Sequence, residues 1–206
     1  PNGKALNESD WNSESKHPYS YAKTEAERRA WEYAKKVDMK LVVMNPTSVI
    51  GPYFHRHTPS TILFDKLLKG ELSVLPPQTF GYVDVRDVAL GHLKAYENNN
   101  TEGRHILCTE CLDGLKLMNI IQELEPELKL PSEIAPMWKM KLFARWQATK
   151  ALFGYTPLIS PETVKEYMGK ITNYDSSKAK NVLGWNPMEL KDSLRDTLSW
   201  IKQTLH

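Results

Sequence analysis

Lys40-Leu41-Val42-Val43-Met44, running into Asn45-Pro46-Thr47-Ser48-Val49-Ile50-Gly51-Pro52, is the stretch that decides the fold. Lys40–Met44 is short, Val-rich and apolar after its lysine, the pattern of a strand buried on both faces of a parallel sheet. The next eight residues carry breakers at both ends and read as a loop. Upstream, Tyr19–Val37 reads as a helix, because Ala22, Ala26, Ala30, Tyr33, Ala34 and Val37 recur at helical period. Small side chains on that stripe let the helix pack close against a sheet or a partner helix. Helix, buried strand and loop make half of a βαβ unit. Ligands of such sheets bind outside the carboxyl ends of the strands, where Asn45–Pro52 lies. The expected fold class is α/β.

The start of that helix carries chemistry. Tyr19-Ser20-Tyr21-Ala22-Lys23 sets a phenol and an ammonium four residues apart, which stacks both on one helix face about one turn apart. A phenol titrates near ~10 and is a poor acid–base catalyst at neutral pH until a neighbouring cation favours its ionised form. The pair suits proton transfer to or from an alcohol or carbonyl oxygen; the plainer reading is a solvated helix face. Tyr174-Asp175-Ser176-Ser177-Lys178 repeats the spacing. There Asp175 reads as a helix N-cap, so Tyr174 is expected before the helix, away from Lys178 and without a role in the cleft.

The rest of the chain alternates short elements. Residues 1–18 are polar and loop-like, and Thr61–Leu68 is a short helix. Leu72–Leu75 reads as a brief strand and Phe80–Val85 as a fuller one. Asp84 is placed to cap a helix over Val85–Glu97, with Val88, Ala89, His92, Leu93 and Tyr96 expected inward. Arg104–Cys108 is a further strand and Leu115–Leu124 a helix. Beyond Pro126, Trp138–Phe153 is a helix rich in Met, Trp and Phe. Ser160-Pro161-Glu162 starts another. Asp175–Leu183 is stopped by Gly184. Leu190–Gln203 is amphipathic, with Leu190, Leu194, Leu198 and Ile201 inward. Residues 1–125 are expected to hold the main sheet domain, with excursions into a smaller lobe formed mainly by 126–206.

Composition excludes several classes. A net charge of +2 over 206 residues, with the basic residues interleaved among acidic ones, leaves no footprint for nucleic acid. No apolar run approaches the ~20 residues of a membrane span. Cys108 and Cys111 form a C-x-x-C, a redox or half-zinc pattern. Cys108 ends a strand and there is no second pair, so a structural reading outweighs both, and no metal site is expected. Two cysteines in this length suit a reducing, cytoplasmic compartment.

The order of motifs resembles a family. YxxxK on a helix, a buried strand, Asn45-Pro46 running to Gly51-Pro52, then Tyr82-Val83-Asp84-Val85-Arg86-Asp87-Val88-Ala89 is similar to the extended short-chain dehydrogenase/reductases. So is the terminal Asp175-Ser176-Ser177-Lys178-Ala179 with Leu183-Gly184-Trp185 and Pro187. The branch is that of dihydroflavonol reductases, aldehyde reductases and 3β-hydroxysteroid dehydrogenases. Lys23-Thr24-Glu25-Ala26-Glu27 and Leu158-Ile159-Ser160-Pro161-Glu162 point the same way.

The resemblance implies a Rossmann-type parallel sheet with a smaller α/β substrate lobe, binding NADP or NAD, with NADP preferred. Tyr19 corresponds to the acid/base. Lys23 corresponds to the cation that favours the phenolate and hydrogen-bonds the cofactor ribose. Asn45, Pro46, Thr47, Ser48 and Val49 correspond to the loop at the nicotinamide end. For Arg86 and Asp87, capping and a local ion pair are expected. The family's glycine-rich turn, its NAD/NADP-discriminating residue and its catalytic serine have no counterpart here; Ser13, Ser15 and Ser20 lie too near Tyr19. The chain therefore reads as the C-terminal three-fifths or so of an enzyme, incomplete and inactive alone. That enzyme would move hydride between nicotinamide and a small carbonyl compound or secondary alcohol, with a homodimer through the Tyr19–Val37 helix in prospect. A nucleotide-sugar epimerase or dehydratase, and a non-catalytic dinucleotide-binding module, remain the alternatives.

Overall fold

Strand β1 (Val42–Pro46) pairs in parallel with β4 (Gly103–Leu107), Val42 opposite Gly103 and Pro46 opposite Leu107. The computed structural model describes residues 4–155, 157 and 159–204. Pro1, the Leu158 of the Leu158–Glu162 motif and the last two residues lie outside them. A second sheet is built from β2 (Ser48–Ile50), β3 (Thr79–Asp84) and β5 (Glu110–Asp113). In it β2 runs parallel to β3, and β3 runs antiparallel to β5, with Gly81 opposite Cys111. The β1–Thr47–β2 and β4–Cys108–Thr109–β5 connections carry the chain from the first sheet to the second, so both sheets share their crossover points.

Eight helices surround these strands among the described residues: α1 (Pro18–Lys36), α2 (Pro59–Leu68), α3 (Val85–Glu97), α4 (Gly114–Leu124), α5 (Met137–Ala151), α6 (Pro161–Tyr167), α7 (Ser177–Leu183) and α8 (Leu190–Thr204). The main core lies between α2, α4, α8 and the three-stranded sheet. Phe64, Tyr82, Leu112, Ile121, Leu194 and Leu198 meet there. The expected inward face of α8 is the observed one: Leu190, Leu194, Leu198 and Ile201 are all buried. A second cluster, Val83, Leu107, Ala179, Leu183 and Trp185, sits where α3 and α7 cover the sheet. Gly184 ends α7 with φ 61°, the left-handed conformation that favours glycine.

Three expectations fail, each for a physical reason. Lys40–Met44 is not buried on both faces; Val42 to Asn45 are half-buried, because β1 pairs with β4 alone among the described strands. Leu72–Leu75 is not a strand: only Leu75 bridges, to Ile134, a contact set by the distant chain. Helix α3 turns a different face inward. Asp87 and Gly91 are buried, whereas Ala89, His92, Leu93 and Tyr96 are exposed. Gly91 decides this: a Cβ there would stand 2.9 Å from Leu107 Cδ1, so the helix sits on its bare glycine. On α1 the alanine stripe is open at Ala22, Ala26 and Ala30 and buried at Ala34, so that face is left for another surface.

Asp84 joins α3 to α8. It accepts from the backbone N–H of Arg86 at 2.8 Å, from that guanidinium at 2.8 and 2.9 Å, and from Ser193 Oγ at 2.5 Å. Arg86 also pairs with Asp196 at 2.7 Å. Asp87 accepts from Met188 N–H at 3.1 Å. The local ion pair expected at Arg86 is observed, whereas the cap of α3 is Asp84 and Asp87 is in no ion pair among the described residues, its carboxylate holding the backbone ahead of α8. No helix among the described residues is long and apolar enough to cross a membrane.

Candidate active site

Beyond the carboxyl end of β1 lies a cleft of about 490 Å³. Three elements converge on it. Helix α1 contributes Lys23, Thr24 and Glu27; the end of β1 contributes Asn45 and Pro46, followed by Thr47; and β4 contributes Arg104 and Ile106. The N-terminal segment around Trp11 and the chain from Glu166 to Tyr174 form the opposite walls.

The helical period explains the α1 wall. Tyr19, Lys23 and Glu27 follow at four-residue steps, so they share a face. Lys23 Nζ stands 5.7 Å from the centre of the Tyr19 ring. Tyr19 itself is 65% exposed and is not among the cleft-lining residues. Of the sequence-assigned cofactor residues, Lys23, Asn45, Pro46 and Thr47 line the cleft together. Ser48 and Val49 do not line it; they lie in β2, opposite Tyr82 and Val83 of β3.

Glu27 organises the floor. Its carboxylate accepts from Arg104 Nε at 2.7 Å, Asn45 Nδ2 at 3.1 Å and Trp31 Nε1 at 3.2 Å. Arg104 also donates to the carbonyls of Glu8 and Asp10, at 2.7 and 3.0 Å, and lies 4.1 Å from the centre of the Trp11 ring. One guanidinium therefore ties helix, strand and N-terminal segment together by charge-assisted bonds and a cation–π contact. Glu8 adds a bond from Ile106 N–H at 2.9 Å. On the far wall, Asn12 donates to Glu166 at 2.9 Å, and the Ser20 and Tyr167 hydroxyls are hydrogen-bonded.

Tyr174 was expected far from the cleft, and it lines it. The strand-like bridge of Leu6 to Tyr174 pulls that side chain across the end of the sheet. Burial pushes its phenol above the ordinary range. Lys178 is elsewhere, donating to the Glu102 carbonyl at 3.1 Å, so the second tyrosine–lysine pair is split as its capping sequence implies. The cap itself is Ser176, with Asp175 accepting from Ser177 N–H at 2.8 Å.

Sequence reasoning missed Glu27, Arg104 and Trp11. Glu27 carried a usable sign, its four-residue step from Lys23. Arg104 and Trp11 carried none, because their meeting depends on the pairing of β4 with β1.

Known proteins show the same architecture. The structure of Gre2 from Candida albicans in complex with NADPH superposes with a TM-score of 0.68 at 26% identity, covering 98% of this chain and 58% of that one. Cinnamoyl-CoA reductase 2 of Medicago truncatula is 40% identical over 119 residues, 57% of this chain and 35% of the relative. A putative dihydroflavonol 4-reductase of Synechocystis sp. is 30% identical over 192 residues, 89% of this chain and 54% of the relative. The chain thus spans about a third to a half of the length of these two relatives. The expected α/β fold of Rossmann type is the one found, and with residues 2–108 matching its model, the chain belongs to the NAD dependent epimerase/dehydratase family.

Proposed function

We propose that the whole protein is an NADP- or NAD-dependent reductase that transfers hydride between nicotinamide and a small carbonyl compound or secondary alcohol. The observation that carries this is the meeting of Lys23 with Asn45, Pro46 and Thr47 in one cleft beyond a parallel strand, with Tyr19 one turn before Lys23. Tyr19 gives its proton to the carbonyl oxygen on reduction and takes the alcohol proton on oxidation. Lys23 stands beside the phenol and binds the cofactor ribose. Asn45, Pro46 and Thr47 border the nicotinamide end. The dinucleotide supplies the hydride; the protein supplies position and electrostatics. NADP is preferred to NAD, in line with the NADPH held by the Gre2 relative. Cinnamoyl-CoA and dihydroflavonol reductases among the relatives favour an aromatic or polycyclic carbonyl substrate.

Residues 1–125 form mainly the dinucleotide side and 126–206 mainly the substrate side. The exposed Ala22, Ala26 and Ala30 stripe, with Tyr33 and Val37, supports a homodimer through α1. The free thiols of Cys108 and Cys111 fit a reducing, cytoplasmic setting.

The test is a titration of the whole protein with NADPH and NADH, followed by turnover of aromatic ketones and thioesters. NADPH oxidation dependent on such a carbonyl is the expected result. Interconversion of nucleotide sugars without net NAD(P)H consumption would overturn it.

A further inference from the structure

Cys108 and Cys111 are brought together by the crossover between the two sheets. Strand β4 ends at Leu107 and β5 begins at Glu110, so the chain bends through Cys108 and Thr109. Pairing of β5 against β3 fixes Cys111 opposite Gly81. The two sulfurs lie 3.6 Å apart and both thiols are free. A side-chain rotation closes that gap to the ~2.05 Å of a disulfide. The surroundings make the sulfurs unequal. Cys108 is buried at 4% exposure, whereas Cys111 is partly exposed.

We propose that Cys108 and Cys111 form a dithiol that exchanges with low-molecular-weight disulfides and closes to an intrachain disulfide beside the cleft. Cys111 is the attacking sulfur and Cys108 the resolving one. The hydrogen bond from Cys108 lowers the Cys111 thiol to about 7 against the opposing effect of burial, and a backbone hydrogen bond from Tyr174 assists. The same contact and burial push Cys108 up. Glu110 opposes ionisation of Cys111. The thiolate of Cys111 attacks one sulfur of the small disulfide, whose S–S bond breaks and releases a thiolate that takes a proton. Cys108 then attacks Cys111 Sγ, gives its proton to solvent, and expels the second thiol. The dithiol loses two electrons and the small disulfide gains them.

The site adjoins the cleft. A Cβ placed on Gly81 would meet Cys108 Sγ at 2.9 Å, Thr47 Cγ2 at 3.0 Å and Tyr174 Cδ2 at 3.0 Å. Thr47 and Tyr174 both line the cleft, so rotation of Cys108 toward Cys111 changes what they pack on. The thiol chemistry stands whether or not the cleft binds a dinucleotide.

The whole protein is equilibrated with mixtures of oxidised and reduced glutathione, quenched by alkylation, and the tryptic peptide spanning 105–116, which holds both cysteines, is weighed. The expected product is an internal disulfide in that peptide. Cys108→Ser is expected to stop at a glutathione adduct on Cys111, and Cys111→Ser to leave Cys108 unmodified. Retention of both thiols in excess oxidised glutathione, a stable glutathione adduct on wild type, disulfides between chains, or faster modification of Cys111→Ser than of Cys108→Ser would each overturn the proposal.

Discussion

Asp84→Ala tests the tie between α3 and α8. Asp84 is 1% exposed and serves three donor groups: the Arg86 N–H, the Arg86 guanidinium and the Ser193 hydroxyl. Losing the helix cap costs about 1 kcal/mol. Ser193 is left buried without its acceptor, about 1–3 kcal/mol. Arg86 keeps Asp196, and its side chain is 34% exposed, so the lost pair counts at the surface scale of about 1 kcal/mol or less. The total is about 3 kcal/mol, roughly a hundredfold in the folded-to-unfolded ratio. Asp84→Asn keeps an acceptor for the cap and should cost about half as much. Urea denaturation of the whole protein, followed by far-UV circular dichroism, measures both. The pH dependence has a fixed sign. Burial pushes the Asp84 carboxyl up, but bonds from Arg86 and Ser193 outweigh it and hold the group below its ordinary value. The stabilisation is therefore complete above the unfolded value near ~3.9 and is lost as pH falls through the folded value. The gap between wild type and Asp84→Asn should be constant from pH 7 to about 5 and shrink in stronger acid. An Asp84→Ala cost below about 0.5 kcal/mol, the range of featureless surface substitutions, would refute the reasoning.

In the whole protein, Tyr19→Phe should lower turnover by about 10²–10⁴-fold with dinucleotide affinity nearly unchanged, because in the proposed mechanism the phenol acts on charge developing at the substrate oxygen. Lys23→Ala should lower turnover and affinity together; steady-state kinetics with dinucleotide titration separate the two cases. Leu194→Ala, at a fully buried position of the main core, should destabilise by about 2–5 kcal/mol in the same urea assay. Gly51→Ala should cost about 2 kcal/mol, since φ is 118° and the new methyl would stand 2.9 Å from an Asp84 carboxylate oxygen. Arg104→Ala should free the N-terminal segment, read as faster proteolysis before α1 and a change in Trp11 emission, at a stability cost of about 2 kcal/mol.

What could be read from the sequence was what local physics settles. The α8 stripe, the Asp84 cap, the Ser160-Pro161 helix start and the Gly184 stop depend on neighbours within a turn, and each is where its pattern puts it. Strands β2 and β5 were not legible. Ser48–Ile50 is three residues between prolines, and Glu110–Asp113 is half acidic; both are strands because β3 lies between them and pairs with each. The inward face of α3 misled for a related reason. Its periodic apolar residues outnumber its buried ones, yet close approach to Leu107 is possible only over Gly91, and that contact belongs to another strand.

The cleft divides along the same line. Tyr19, Lys23 and Glu27 share a face by helical geometry alone, and Asn45–Thr47 follow from the end of an apolar run. Arg104, Trp11 and Tyr174 join them through β1–β4 pairing and the Leu6–Tyr174 bridge, contacts between residues far apart in sequence. The half of the cleft that holds Lys23 and lies next to Tyr19, where the proton chemistry is proposed, is thus encoded locally. The half that shapes its walls is encoded only in the fold, so substitutions on the walls should alter stability and access before they alter the chemical step.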